Sequence, residues 1–147
     1  MEKTLNIAQI YVRLALGISF LLPVLDRLGF TGAPGTAGVA WGNWDNFVNY
    51  TNTLMPYLSK PLSNIWGIAA TIFEFAFGIM LIAGYKTKLA AYGSFLLLLI
   101  FALSMLFFAG LRAPFSYSVF TGSAAALLLS ALPDYKWSVN NILNDKS

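Results

Sequence analysis

The 147-residue chain has no cysteine and no histidine, and only 10% of its residues are charged. Without cysteine there is no disulfide, no thiolate zinc or iron–sulfur site and no thiol–disulfide relay. Without histidine the usual haem ligand, the commonest metal ligand and the commonest general base are gone too. No serine nucleophile has a histidine base, no glycine-rich phosphate loop is present, and the carboxylates never reach metal-site density. The sequence therefore points to no catalytic residue, no metal and no covalently bound cofactor. Redox chemistry, if this chain takes part in any, has to run through a bound organic molecule or a partner subunit.

Scarce charge also excludes an ordinary soluble domain, in which about 25% of residues are charged. Here 58% are apolar and the mean hydropathy is +0.68, which fits a chain solvated by the lipid bilayer. The nine Lys and Arg outnumber the six Asp and Glu, for a net charge of +3, but they form no basic run. The excess reads as an orientation signal and not as a nucleic-acid footprint.

Four apolar stretches, about residues 7–25, 65–83, 89–109 and 115–132, are each near the ~20 residues needed to cross ~30 Å of hydrocarbon. They predict an all-α, single-domain polytopic membrane protein over residues 1–147, built as a four-transmembrane-helix bundle. Short connections at Gly84–Lys88 and Gly110–Pro114 make spans two, three and four antiparallel neighbours. The first stretch contains Arg13, exceeds a signal-peptide core in length and is followed by no Ala-x-Ala site, so it reads as a permanent span. With the amino terminus inside, Lys3, Lys86, Lys88, Lys136 and Lys146 are cytoplasmic, against Arg27, Lys60 and Arg112 outside. Both termini are then expected in the cytoplasm.

The connection of about residues 27–64 is expected outside. Within it Trp44, Phe47, Val48, Thr51 and Met55 recur at helical spacing against Asp45, Asn46, Asn49 and Asn52. That pattern predicts an amphipathic interfacial helix, either an aromatic anchor in the headgroup region or a lid over a pocket.

Arg13 and Glu74 are the charged residues that fall well inside apolar spans. Counted from the inner ends of their spans, they lie ~9 Å and ~13 Å deep at 1.5 Å per residue. Similar depth, and the small residues Gly17, Gly67, Ala70 and Gly78 on the facing sides, predict an Arg13–Glu74 ion pair. Two readings stay open: a staple that registers two helices, or a site where Glu74 accepts a proton or a hydrogen bond from a ligand headgroup. A second polar group, Asp26, Arg27, Arg112, Tyr117 and Thr121, is expected on the outer side. In it Asp26 with Arg112 or Arg27 ties loops together or binds a small anion, and Tyr117 and Thr121 share a helix face.

The segments Arg13-Leu14-Ala15-Leu16-Gly17 and Glu74-Phe75-Ala76-Phe77-Gly78-Ile79-Met80-Leu81-Ile82-Ala83-Gly84 resemble the DoxX family of small bacterial membrane proteins. Asp26-Arg27-Leu28-Gly29, the Trp41–Trp44 stretch and Ala113–Phe120 resemble a subgroup with an enlarged first outer loop. The family is named for its likeness to a subunit of thiosulfate:quinone oxidoreductase. The resemblance implies a bacterial cytoplasmic membrane protein that acts as an accessory subunit of a quinone-linked oxidoreductase, with quinone as ligand and a redox partner subunit supplying electrons. Functional positions carry over to Arg13, Glu74 and Asp26 with Arg27. The competing expectations are a structural or assembly protein without catalytic activity and, less favoured, a small-solute carrier.

Overall fold

The computed structural model describes residues 2–139 and 141; Lys146, counted above for orientation, lies outside them. The described residues form six helices and no strand: α1 (Glu2–Arg27), α2 (Trp44–Leu54), α3 (Lys60–Ala83), α4 (Thr87–Phe108), α5 (Arg112–Ser116) and α6 (Val119–Ser130). Of these, α1, α3 and α4 are long and apolar enough to cross a membrane.

The fourth expected span is corrected. Residues 115–132 do not form one helix: the chain breaks at Tyr117 and Ser118, where Ser118 adopts a left-handed conformation with φ 55°. At 12 residues, α6 extends only ~18 Å, against the ~30 Å of a hydrocarbon core. Pro114 sits inside the short α5, and Ser116 and Ser118 carry hydroxyls of the kind that compete with the helical backbone for hydrogen bonds. The sequence pattern had absorbed the polar triplet Ser116-Tyr117-Ser118 into the apolar stretch behind it.

The long helices pack through small residues. On α1 the buried positions Gln9, Arg13, Leu16, Phe20, Val24 and Arg27 recur every three or four residues, which puts them on one face. Gly17 in that face meets Gly78 of α3 backbone to backbone: a Cβ on Gly17 would lie 2.9 Å from the Gly78 carbonyl oxygen. Lipid is as apolar as leucine, so such close approach, and not hydrophobicity, is what draws membrane helices together. On the other side of the bundle α4 presents Ala90, Ala91, Ser94 and Ala102, and α6 packs against it with Ser123, Ala126 and Leu129. The Ser123 hydroxyl donates to the Phe95 carbonyl oxygen at 3.2 Å. Contacts of α1 with α6 and of α3 with α4 close the ring around Leu16, Phe20, Leu81, Ala126 and Leu129. Apolar side chains such as Ile72, Phe73, Ile100 and Phe107 face outward, as lipid-facing positions do.

At one end of the bundle the α3–α4 turn, α1 around Arg13 and the segment at Lys136 come together. At the other, α2 lies across α1, α3 and α4. Asn43 caps α2 by accepting from the Asn46 N–H at 2.8 Å. The expected stripe is present, with Phe47 and Val48 buried and Trp44, Thr51 and Met55 half-buried.

Candidate functional site

Glu74 lies within α3 and is 5% exposed. Its partner is Arg27, in the last turn of α1, whose Nη2 stands 2.6 Å from Glu74 Oε2. The expected Arg13–Glu74 pair is therefore corrected. The Gly17–Gly78 crossing sets the register of these antiparallel helices and brings Leu21 level with Glu74. Arg13 is eight residues from Leu21, or ~12 Å along the axis. Arg27 reaches Glu74 instead because helical side chains lean back toward the amino terminus of their helix.

The Arg27 guanidinium is anchored on three sides. Its Nε donates to the Pro23 carbonyl oxygen at 3.0 Å and its Nη1 donates to Thr71 Oγ1 at 2.8 Å. Thr71 donates in turn to the Gly67 carbonyl oxygen at 2.7 Å. One face of the guanidinium carries the Phe47 ring, with the centroid 3.9 Å from Cζ, and the Trp41 centroid is 5.3 Å away. Cations stack on aromatic faces through the ring quadrupole, and more strongly where water is excluded. Glu74 Oε2 is in direct contact with the guanidinium, and among the described residues that guanidinium is its ion-pair partner. A buried carboxylate oxygen with unused acceptor capacity can take a proton or a ligand hydroxyl.

Asp26, beside Arg27, does something else. It accepts from the Thr31 hydroxyl and, at 2.8 Å, from the Trp41 N–H, and so folds the loop back over the end of α1. Asp26 thus ties down the loop that brings Trp41 over the guanidinium, but among the described residues it forms no ion pair with Arg112 or Arg27.

Arg13 forms a second knot at the opposite end. Its Nε donates to the Leu81 carbonyl oxygen at 3.0 Å, and its Nη2 to that of Ile82 at 3.3 Å. Nη1 reaches Gln9 Oε1 at 3.3 Å and the carbonyl oxygens of Lys136 at 3.3 Å and Trp137 at 3.5 Å. Helices end with carbonyls that lack intrahelical partners, and a cation there complements the helix dipole. Arg13 is 3% exposed although it sits at the end of the bundle, because the chain at Lys136–Ser138 covers it. Gly84 completes the cap with φ 71°: its N–H donates to the Leu81 carbonyl oxygen and the Tyr85 N–H to that of Met80. A methyl group there would collide with Arg13 Nη2 and Ser138. Gly84→Ala is expected to destabilise by at least about 1 kcal/mol from the left-handed backbone alone, read as a lower midpoint of thermal unfolding in detergent.

A family model for DoxX matches residues 8–110, which takes in most of α1 and all of α2, α3 and α4. This chain belongs to the DoxX family. No curated protein and no solved structure gives a significant match.

With its three membrane-length helices, this DoxX protein is an integral membrane protein. The matched stretch carries Arg13, Arg27 and Glu74, whereas α5 and α6 lie beyond it. The expected outer cluster is not brought together. Arg112, Tyr117 and Thr121 are exposed, and the break at Ser118 falls between Tyr117 and Thr121, so their four-residue spacing does not put them on one helix face. Tyr117 lies near Tyr50 of α2, whose phenol is pushed up by burial and secondarily by that neighbour. Among the described residues, no group of three or more Asp and Glu could hold a metal ion. The roles of Phe47 and Trp41 over the guanidinium were not read from the sequence. The available signal was an arginine at the end of a span followed by a loop dense in aromatics, which could have been paired with it.

Proposed function

We propose that this DoxX protein is a membrane subunit, without a covalently bound cofactor, of a quinone-linked redox system. In this reading it binds the lipophilic ring ligand at Arg27, Thr71 and Glu74, and a partner subunit supplies the electrons. The observation that carries the proposal is a buried carboxylate, Glu74, paired with the buried Arg27 inside an apolar bundle. Such groups are expensive in a membrane and mark ligand or proton sites more often than not. The residues present suit a quinone in its hydroxyl-bearing reduced form: a planar cation for the ring and a carboxylate that can accept from a ring hydroxyl. When bound, a quinone supplies the electron-accepting chemistry that a chain without cysteine and histidine lacks. Residence in the bacterial cytoplasmic membrane with both termini inside belongs to the same proposal, and the positive loop at Lys86 and Lys88 supports it.

The test is to purify the protein in mild detergent and measure co-purified quinone for the parent and for Arg27→Met/Glu74→Leu, which removes both charges together. Quinone in the parent and none in the double variant is the expected result. Lipid alone in the parent, or quinone undiminished in the double variant, would sink the reading. A purely structural or assembly role is favoured by the Arg13 knot, which ties three chain segments together.

A further inference from the structure

The aromatic ring over Arg27 belongs to the protein itself, and its seat is built for a flat ring. On one side is the planar guanidinium, 3.9 Å from the Phe47 centroid. On another is Gly67, where an added Cβ would stand 3.0 Å from Phe47 Cε1, so that the ring edge rests against bare helix backbone. Trp41 closes the top edge-on, with its centroid 5.2 Å from that of Phe47 and an interplanar angle of 76°. Phe47 enters this slot from α2, which is not part of the transmembrane bundle.

α2 packs mainly on α3, with smaller contacts to α4 and α1. Phe47 and Val48 are its buried residues, and its outer face carries Asp45, Asn46, Asn49 and Thr53. Side-chain hydrogen bonds hold it down from Trp44 Nε1 to Asn64 Oδ1 at 2.8 Å and from Asn52 Nδ2 to Ser63 Oγ at 2.9 Å. The chain before it is fixed, with the Trp41 N–H on Asp26 and Gly42 packed against Pro34, and Gly42 has φ 68°. Along the seam between α2 and α3 runs a groove of about 420 Å³, lined by Trp44, Asp45, Val48, Lys60, Pro61 and Asn64.

We infer that α2 is a lid and Phe47 its plug: a ligand with a planar aromatic or quinonoid ring enters along the α2–α3 seam and takes the place of the Phe47 ring between Arg27 and Gly67. The inference rests on the ligand reading above and adds to it the ring slot, the entry path and the element that closes it. Self-occupancy lowers the apparent affinity by the fraction of molecules whose slot is open, and removing the plug removes that reduction.

The probe is a decyl-substituted benzoquinone, with binding read by quenching of tryptophan fluorescence and checked by equilibrium dialysis. Phe47→Ala, which empties the slot, is expected to bind it about tenfold more tightly than the parent. Phe47→Leu, which fills the volume without a ring, is the control for folding and is expected to fall between the two. A reducible bis-methanethiosulfonate linker, which forms a disulfide with each thiol and releases methanesulfinate, joins Trp44→Cys to Asn64→Cys selectively because the chain has no other cysteine. It is expected to lower binding at least about tenfold, with recovery on reduction. Unchanged binding in the linked protein overturns the lid while leaving the Arg27–Glu74 site standing. Weaker binding by both Phe47→Ala and Phe47→Leu, in protein that unfolds at the parent's temperature, makes Phe47 part of the site and overturns the plug. No binding by the parent or any variant overturns this inference and the quinone reading together.

Discussion

Arg27→Met is expected to lower stability by about 3 to 5 kcal/mol, because it strands Glu74 as an uncompensated buried carboxylate. Arg27→Met/Glu74→Leu is expected to recover most of that loss. A buried ion pair gains little over well-packed apolar groups of similar size, since desolvating the two charges offsets most of their attraction. Methionine also keeps a favourable contact with the Phe47 ring. The measurement is thermal unfolding in detergent of the parent, both single variants and the double variant. Equal losses for the single and double variants would show that Glu74 does not depend on Arg27. The same cycle gives the ligand test its control, because a stable, neutral double variant separates loss of binding from loss of fold.

Arg13→Ala is expected to destabilise by about 2 to 4 kcal/mol, the scale of losing hydrogen bonds from one charged donor group to several buried acceptors. It uncovers the carbonyls of Leu81 and Ile82 at the end of α3 and releases the segment at Lys136 and Trp137. Faster tryptic cleavage after Lys136 is the local readout, alongside the unfolding midpoint. Arg13→Lys is expected to restore only part, because an ammonium cannot reproduce the planar fork that reaches α1, α3 and the carboxyl-terminal segment together. Exchanging the charges, as Arg13→Glu/Glu74→Arg, is expected to give no rescue. Rescue by that exchange would restore the pairing that the register of α1 and α3 rules out.

Several features were legible from residue type and spacing alone. Three spans were found within a few residues of their ends, since an uninterrupted apolar run of about 20 residues has few other solutions. The stripe of α2 was legible for a similar reason: a period of 3.6 places Trp44, Phe47 and Val48 on one side whatever lies beneath. That residues 115–132 are not one helix was not legible, because mean hydropathy is indifferent to backbone conformation and the left-handed turn at Ser118 leaves no mark on it.

The pairing of charges shows where such reading stops. Depth counted from the end of an apolar stretch assumes that both stretches begin at the same level. In fact α1 extends well past the end of α3, and Arg13 lies beside residues 81 and 82. Two buried arginines and one buried glutamate were present in the sequence, and composition cannot say which arginine the glutamate meets. That choice falls to the contact of Gly17 with Gly78, where two backbones approach closely enough to lock one helix against the other.

The sequence by itself determined the solvent of this protein, its helical class, its family and the few polar groups its interior could contain. Those follow from composition and period, which are properties of the chain taken one segment at a time. Tertiary structure alone decided that Arg27 holds Glu74, that Arg13 caps a helix, and that an aromatic ring from α2 rests on the guanidinium. Each of these depends on the axial register between helices distant in sequence, and that register is set by how closely their backbones can pack.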